Sequence, residues 1–259
     1  MGYLRIATAV VIALAVSFSA FCEEKGEATL GGKSPAATGK PAAVTPLKKG
    51  ERIVFLGDSI TQAGGRPNGY ITLVKNAINE QLKDLDITVI NAGISGHKVP
   101  DCQARLERDV LSKNPTVVVI YIGINDVWHS QHGKGTPKDK YEAGLNDLIA
   151  RVARVRARAI LCTPSVIGEK EAGTNSLDAM LDEYSDISRK VAKETSTQLL
   201  DLRKAFVEHL KQHNPKNAER GVLTTDGVHL NEAGNKFAAE QMLKALGVTK
   251  PEKPAGKEK

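Results

Sequence analysis

Residues 116–122, Thr-Val-Val-Val-Ile-Tyr-Ile, are apolar on consecutive positions and rich in β-branched side chains. A strand with one wet face alternates apolar and polar residues, whereas a run like this one needs cover on both faces. The run therefore predicts a central strand between two layers of helices. On its N-terminal side lie a shorter strand at Arg52–Phe55, stopped by Gly57, and another at Ile87–Ile90, ended by Asn91-Ala92-Gly93. On its C-terminal side, Ala159–Cys162 stops before Pro164, and Gln198–Asp201 forms a fifth. Between these runs the apolar period changes to that of a helix. The stripes are Tyr70, Leu73, Val74, Ala77, Ile78, Leu82; Val99, Cys102, Leu106, Val110; Tyr141, Leu145, Leu148, Val152, Val155; and Leu177, Met180, Leu181, Tyr184, Ile187, Val191. A last helix is expected from near Asn231 to about Leu246. Strands that alternate with helices imply crossover connections. The expected fold is a three-layer α/β/α sandwich around a five-stranded parallel sheet, with ligands at the carboxyl ends of the strands.

Both ends of the 259-residue chain differ from this middle. Residues 1–22 have the layout of a signal peptide: Arg5, the apolar run Ile6–Val16, then small residues at Ser17, Ser19 and Ala20. The run is short for a spanning helix, which needs about 20 residues. A lipid anchor on Cys22 is disfavoured by the bulky Phe21 before it. The expected location is outside the cytoplasm, with no stable membrane insertion after signal cleavage. Residues 23–50, rich in Gly, Ala, Pro, Thr and Lys, read as a flexible linker, residues 51–247 as the folded domain, and residues 248–259 as a disordered basic tail. The net charge of +6 belongs to the ends, because residues 51–243 hold 25 basic and 25 acidic side chains. A balanced domain with 4% aromatic residues lacks the basic, base-stacking face of a nucleic-acid binder, so no nucleic-acid partner is expected. Three cysteines make no disulfide framework; Cys102 and Cys162 read as buried apolar residues, with their pairing in an oxidising compartment as the alternative. With no CxxC pair and no HExxH helix, no metal or other cofactor is expected. Gly64, Gly65 and Gly69 make no phosphate loop, which disfavours a flavodoxin-like nucleotide binder.

Four loops at the strand ends carry chemistry: Gly57-Asp58-Ser59-Ile60-Thr61, Asn91-Ala92-Gly93-Ile94-Ser95-Gly96, Gly123-Ile124-Asn125-Asp126, and Asp226-Gly227-Val228-His229 before the last helix. In this order the blocks resemble the SGNH, or GDSL-type, hydrolases, whose fold is flavodoxin-like. The resemblance spans Arg52 to Leu246. Gly57–Gln62 and Asp226–Gly234 look most like small lipase-acylhydrolases of the isoamyl-acetate esterase and lysophospholipase type. Ile60 replaces the leucine of the literal GDSL pattern and is apolar as well.

A serine hydroxyl attacks an ester only when a base takes its proton. Ser59 is the candidate nucleophile, His229 the base, and Asp226, three residues earlier, the group that orients the imidazole. The resemblance assigns the oxyanion donors to the N–H groups of Ser59 and Gly93 and to the Asn125 amide. Taken singly, Ser59 could be a helix cap, Gly93 and Asn125 turn residues, and His229 a partly buried histidine. Their coincidence favours catalysis. His129 and His132 read as rim residues, Asp58 as a hydrogen-bonder beside Ser59, and the arginines at 151, 154, 156 and 158 as a solvated face. The expected activity is hydrolysis of a small ester or acylated glycan with a short acyl group, through an acyl-enzyme. The alternatives are a lysophospholipase or thioesterase of the same family, and a non-catalytic glycan- or lipid-binding module.

Overall fold

The structure is a computed structural model that describes residue 1 and residues 43–248. The expected signal peptide apart from residue 1, most of the expected linker and nearly all of the expected tail lie outside the described residues. From there the chain runs β1 (Arg52–Gly57), α1 (Ser59–Gly64), α2 (Tyr70–Gln81), β2 (Thr88–Gly93), α3 (Val99–Asp109), β3 (Val117–Tyr121), α4 (Ile124–Trp128), α5 (Lys138–Arg154), β4 (Arg158–Cys162), α6 (Asp178–Glu194), β5 (Gln198–Leu200), α7 (Leu202–His213) and α8 (Glu232–Ala245). All strand pairs are parallel, in the order β2-β1-β3-β4-β5.

The run at 116–122 becomes β3, and every residue of the strand is buried. It lies between β1 and β4, where burial of each large aliphatic side chain contributes about 1.5–3 kcal/mol. The edge strands β2 and β5 are only partly covered. Around the sheet, α2 packs on α8, and α5 on both α3 and α6. Helix α7 is not among the helices expected from the apolar stripes. It joins α8 through Phe206 and Phe237, whose rings meet edge-on at 5.1 Å. Its signals are present in the chain: Asp201 caps it by accepting from Lys204 N–H, and Leu202, Phe206 and Leu210 are buried along one side. The packed chain also begins before the expected boundary at Glu51. Leu47 is buried in the core, and Gly50 N–H donates to Leu85 O.

The register places the loops that matter. Gly57 at the end of β1 lies level with Gly93 of β2 on one side and Tyr121 of β3 on the other. The chain leaves β1 towards β2, then returns across β1 to form β3. This reversal opens a crevice at the carboxyl ends of the strands. Ser59, Gly96 and Asn125 follow within a few residues of that level.

Candidate active site

Ser59 is the first residue of α1, but it does not cap the helix. Asp58 does, its Oδ1 accepting from Ile60 N–H at 2.9 Å. The serine hydroxyl is thereby left for another partner, and Ser59 Oγ lies 2.9 Å from His229 Nε2. The other imidazole nitrogen, Nδ1, lies 2.7 Å from Asp226 Oδ2. Burial raises the Asp226 carboxyl, but hydrogen bonds from the His229 ring and from the N–H groups of His229 and Val228 outweigh it and hold the group below its ordinary value. An ionised carboxylate can only accept, so Nδ1 carries the proton and Nε2 accepts from the Ser59 hydroxyl. The three side chains form one continuous chain of hydrogen bonds.

Asp226 and His229 belong to a tight loop whose Gly227 and Val228 are buried. Asp226 Oδ1 accepts from Val228 N–H at 3.0 Å and His229 N–H at 2.8 Å. Gly227 takes a φ of 96°, where a side chain would be strained. Thr225 N–H donates to His229 O at 2.8 Å, and Asn231 caps α8 directly afterwards. The His229 side chain is still 36% exposed. Trp128, at the end of α4, meets its ring edge-on with centroids 6.1 Å apart.

One expected donor is placed differently. Gly93 N–H donates to Asn91 Oδ1 at 2.8 Å and so faces no incoming group. Its missing Cβ serves packing: a Cβ there would come within 2.1 Å of Gln62 N on α1. The glycine in open space is Gly96, three residues on, with a φ of +78° and nothing within 4 Å of where a Cβ would stand. Its N–H has no partner among the described residues. Both glycines stand in the same sequence block, and spacing does not show which of them packs and which is open. Asn125 is buried, and its Nδ2 donates to His97 O at 3.0 Å, which leaves the second amide hydrogen available. Buried Arg105 locks this corner by donating to Gly57 O (2.8 Å), Ala92 O (2.7 Å) and His97 Nδ1 (3.0 Å). Burial and the Arg105 charge push His97 below the ordinary imidazole value, consistent with a neutral acceptor.

Two buried carboxylates lie beneath the site. Burial raises Asp58 to about 7, opposed chiefly by the hydrogen bond from Ile60 N–H, with the Asp126 charge adding to the rise and His229 lowering it less. Burial likewise raises Asp126 to about 6. A folded Asp58 keeps its proton until about pH 7, whereas an unfolded one releases it near 3.8. The stability tied to this proton is therefore complete below pH 3.8 and falls away as the pH rises through 7. Asp58→Asn keeps an acceptor for Ile60 N–H and removes the charge. It is expected to match the wild type near pH 4 and to exceed it at pH 8 by up to about 4 kcal/mol in urea unfolding. Equal destabilisation at both pH values would show that Asp58 is ionised when folded.

After α4, His129 is half-exposed and His132 exposed, and Cys102 and Cys162 are buried and unpaired. Arg158 departs from the expected solvated face: it lies in β4, half-buried, with Nη2 3.7 Å from Glu51. Among the described residues no cluster of three or more His, Cys, Asp or Glu is arranged to hold a metal ion. A cleft of about 330 Å³ opens on Ser59 and His229, walled by Gln62, Arg66, Ser95, Thr225 and Asn235. A larger one of about 470 Å³ beside α7 contains neither.

The GDSL-like Lipase/Acylhydrolase family matches residues 55–237. The chain belongs to that family. As a member it is a carboxylic ester hydrolase. An acetylxylan esterase of Geobacillus stearothermophilus is 34% identical over 217 residues, covering 78% of this chain and 96% of that one. Solved catalytic mutants of that enzyme carry alanine in place of a serine, a histidine or an aspartate; the serine mutant superposes with a TM-score of 0.71, at 32% identity over 79% of this chain and 98% of that one. A solved acetyl xylan esterase is 45% identical, covers 75% of this family member and 99% of itself, and gives a TM-score of 0.72. A mouse homolog of isoamyl acetate-hydrolyzing esterase 1 is 28% identical over 204 residues, covering 72% and 77% of the two chains.

Proposed function

We propose that this chain is an exported esterase that removes short acyl groups, acetyl above all, from carbohydrate, with Ser59, His229 and Asp226 as its catalytic triad. The observation that carries the reading is the unbroken contact from Ser59 Oγ to His229 Nε2 (2.9 Å) and from His229 Nδ1 to Asp226 (2.7 Å). As the Ser59 oxygen bonds to the acyl carbon, its proton passes to His229 Nε2. The imidazolium is stabilised by Asp226 and returns the proton to the alkoxide of the leaving alcohol as the C–O bond breaks. Water then attacks the acyl-enzyme, giving its proton to His229. The acid departs, and the Ser59 oxygen recovers a proton from the imidazolium. Charge on the tetrahedral oxygen falls to the N–H groups of Ser59 and Gly96 and to the remaining Asn125 amide hydrogen. Such donors are worth about 10²–10³ in rate each.

The cleft beside Ser59 supports a hydroxyl-rich leaving group, since Gln62, Arg66 and Ser95 offer donors and acceptors to a sugar. The two acetylxylan esterases similar to this chain point the same way. Export rests on the n-region, apolar run and small residues of positions 1–22. Acetylated xylooligosaccharides and p-nitrophenyl acetate are expected to exceed p-nitrophenyl octanoate and lysophosphatidylcholine by about 10-fold or more in kcat/KM. A preference for lysophosphatidylcholine would transfer the assignment to lysophospholipase.

A further inference from the structure

The loop that carries Asp226 and His229 leaves both side chains partly exposed although Leu223 and Val228 anchor it in the core, and its geometry is tight. The source of that order lies in Glu169, 60 residues away in sequence from His229. Glu169 is 1% exposed, and its carboxylate is occupied with the segment 222–224 that leads into the loop. Oε2 accepts from Val222 N–H at 2.7 Å, while Oε1 accepts from Leu223 N–H at 2.7 Å, Thr224 N–H at 2.5 Å and the Thr224 hydroxyl at 2.7 Å. Thr224 Oγ1 in turn accepts from Gly227 N–H at 3.0 Å, next to Asp226. The backbone on either side of Glu169 grips the same segment: Gly168 N–H donates to Gly227 O and Glu169 N–H to Glu219 O, both at 2.8 Å. No cation lies within ion-pair distance of the Glu169 carboxylate among the described residues, so backbone donors are its partners. A buried carboxylate with four donors aimed at it is a stiff cross-brace, because any displacement of the segment strands a charge out of water.

We infer that Glu169 is a positioning residue for the esterase reaction: through Thr224 and Gly227 it fixes where Asp226 holds the His229 imidazole. This rests on the triad reading above. The brace touches neither substrate nor the reacting atoms. It acts by keeping the Asp226–His229 pair at a distance from Ser59 that lets the proton move, and a misplacement of about 1 Å in such a pair costs about 100-fold.

The test compares Glu169→Gln, Glu169→Ala and Thr224→Val with wild type on p-nitrophenyl acetate, at temperatures where circular dichroism shows each to be folded. Gln keeps the shape but turns an N–H against Val222 N–H, so kcat is expected to fall about 10-fold; Ala removes the brace, and kcat falls about 100-fold. KM should stay within about threefold in both, because Gln62, Arg66 and Ser95 on the opposite walls are untouched. Labelling of Ser59 by a fluorophosphonate should slow in parallel with kcat. Thr224→Val preserves volume and removes the hydroxyl that links Glu169 to Gly227, leaving the three backbone donors to the carboxylate in place. It should show the same split, and it decides the matter alone if the Glu169 variants do not fold. Wild-type kcat and labelling rate in the folded variants, or a rise in KM alone, would overturn the inference. Should Ser59→Ala retain turnover, the triad itself would fall; should it lose turnover while all three brace variants keep theirs, only the role of Glu169 would.

Discussion

Ser59→Ala is expected to lower turnover of p-nitrophenyl acetate by at least about 10⁴-fold while leaving the fold and KM nearly unchanged. The size follows from what the hydroxyl does. No other side chain pairs with His229 Nε2 among the described residues, so without Oγ the imidazole has no nucleophile to deprotonate except water. The residual rate should be that of an ester held by the oxyanion donors alone, about 10³–10⁴ above solution. Stability should change little, because Asp58 and not Ser59 caps α1, and a single partly exposed hydrogen bond is worth about 1 kcal/mol. Fluorophosphonate labelling gives an independent reading, since the probe must fail on the variant and mark wild type at Ser59. Retained turnover, or labelling at another residue, would remove Ser59 from the mechanism. A serine that served only as a cap would give the opposite pattern, with lower stability and full activity.

Much of this arrangement is legible in the order of the residues alone. The consecutive apolar residues of 117–121 fit a strand covered on both faces, and the glycines and Pro164 that end the runs mark the sheet edge where ligands bind. The three-residue spacing of Asp226 and His229 lets one carboxylate accept from the His229 backbone and ring together, which is why the pair can be read locally. Features that depend on contacts between distant segments are not legible in this way. Gly93 and Gly96 differ in whether α1 lies against them, and nothing in the order of residues records that. Glu169 stands in an unremarkable loop, and its partners at 222–224 come to it only through folding. Arg105 looks like one more basic residue of an amphipathic helix until Gly57 O and Ala92 O are found at its guanidinium.

Asp226→Asn tests the next link in the chain, and its effect should approach that of the nucleophile. In the wild type, Oδ1 accepts from two N–H groups, those of Val228 and His229, while Oδ2 faces His229 Nδ1. An asparagine keeps its carbonyl oxygen on the two backbone donors, because turning the amide round would set N–H against N–H. Its NH₂ group must then face Nδ1, which can satisfy it only by giving up its proton and becoming an acceptor. The proton moves to Nε2, and the imidazole presents an N–H to the Ser59 oxygen instead of a lone pair. The base is then in place but in the wrong tautomer. A fall in kcat of about 10⁴ is expected near neutral pH, with KM and thermal midpoint close to wild type because the loop's backbone bonds survive. Asp226→Ala separates the two duties of the residue. It leaves the ring free to adopt the working tautomer but leaves the Val228 and His229 N–H groups without their acceptor, so it should lose stability as well as rate. If Asp226→Asn kept more than about a tenth of wild-type kcat, Asp226 would be a turn residue and not the orienting group.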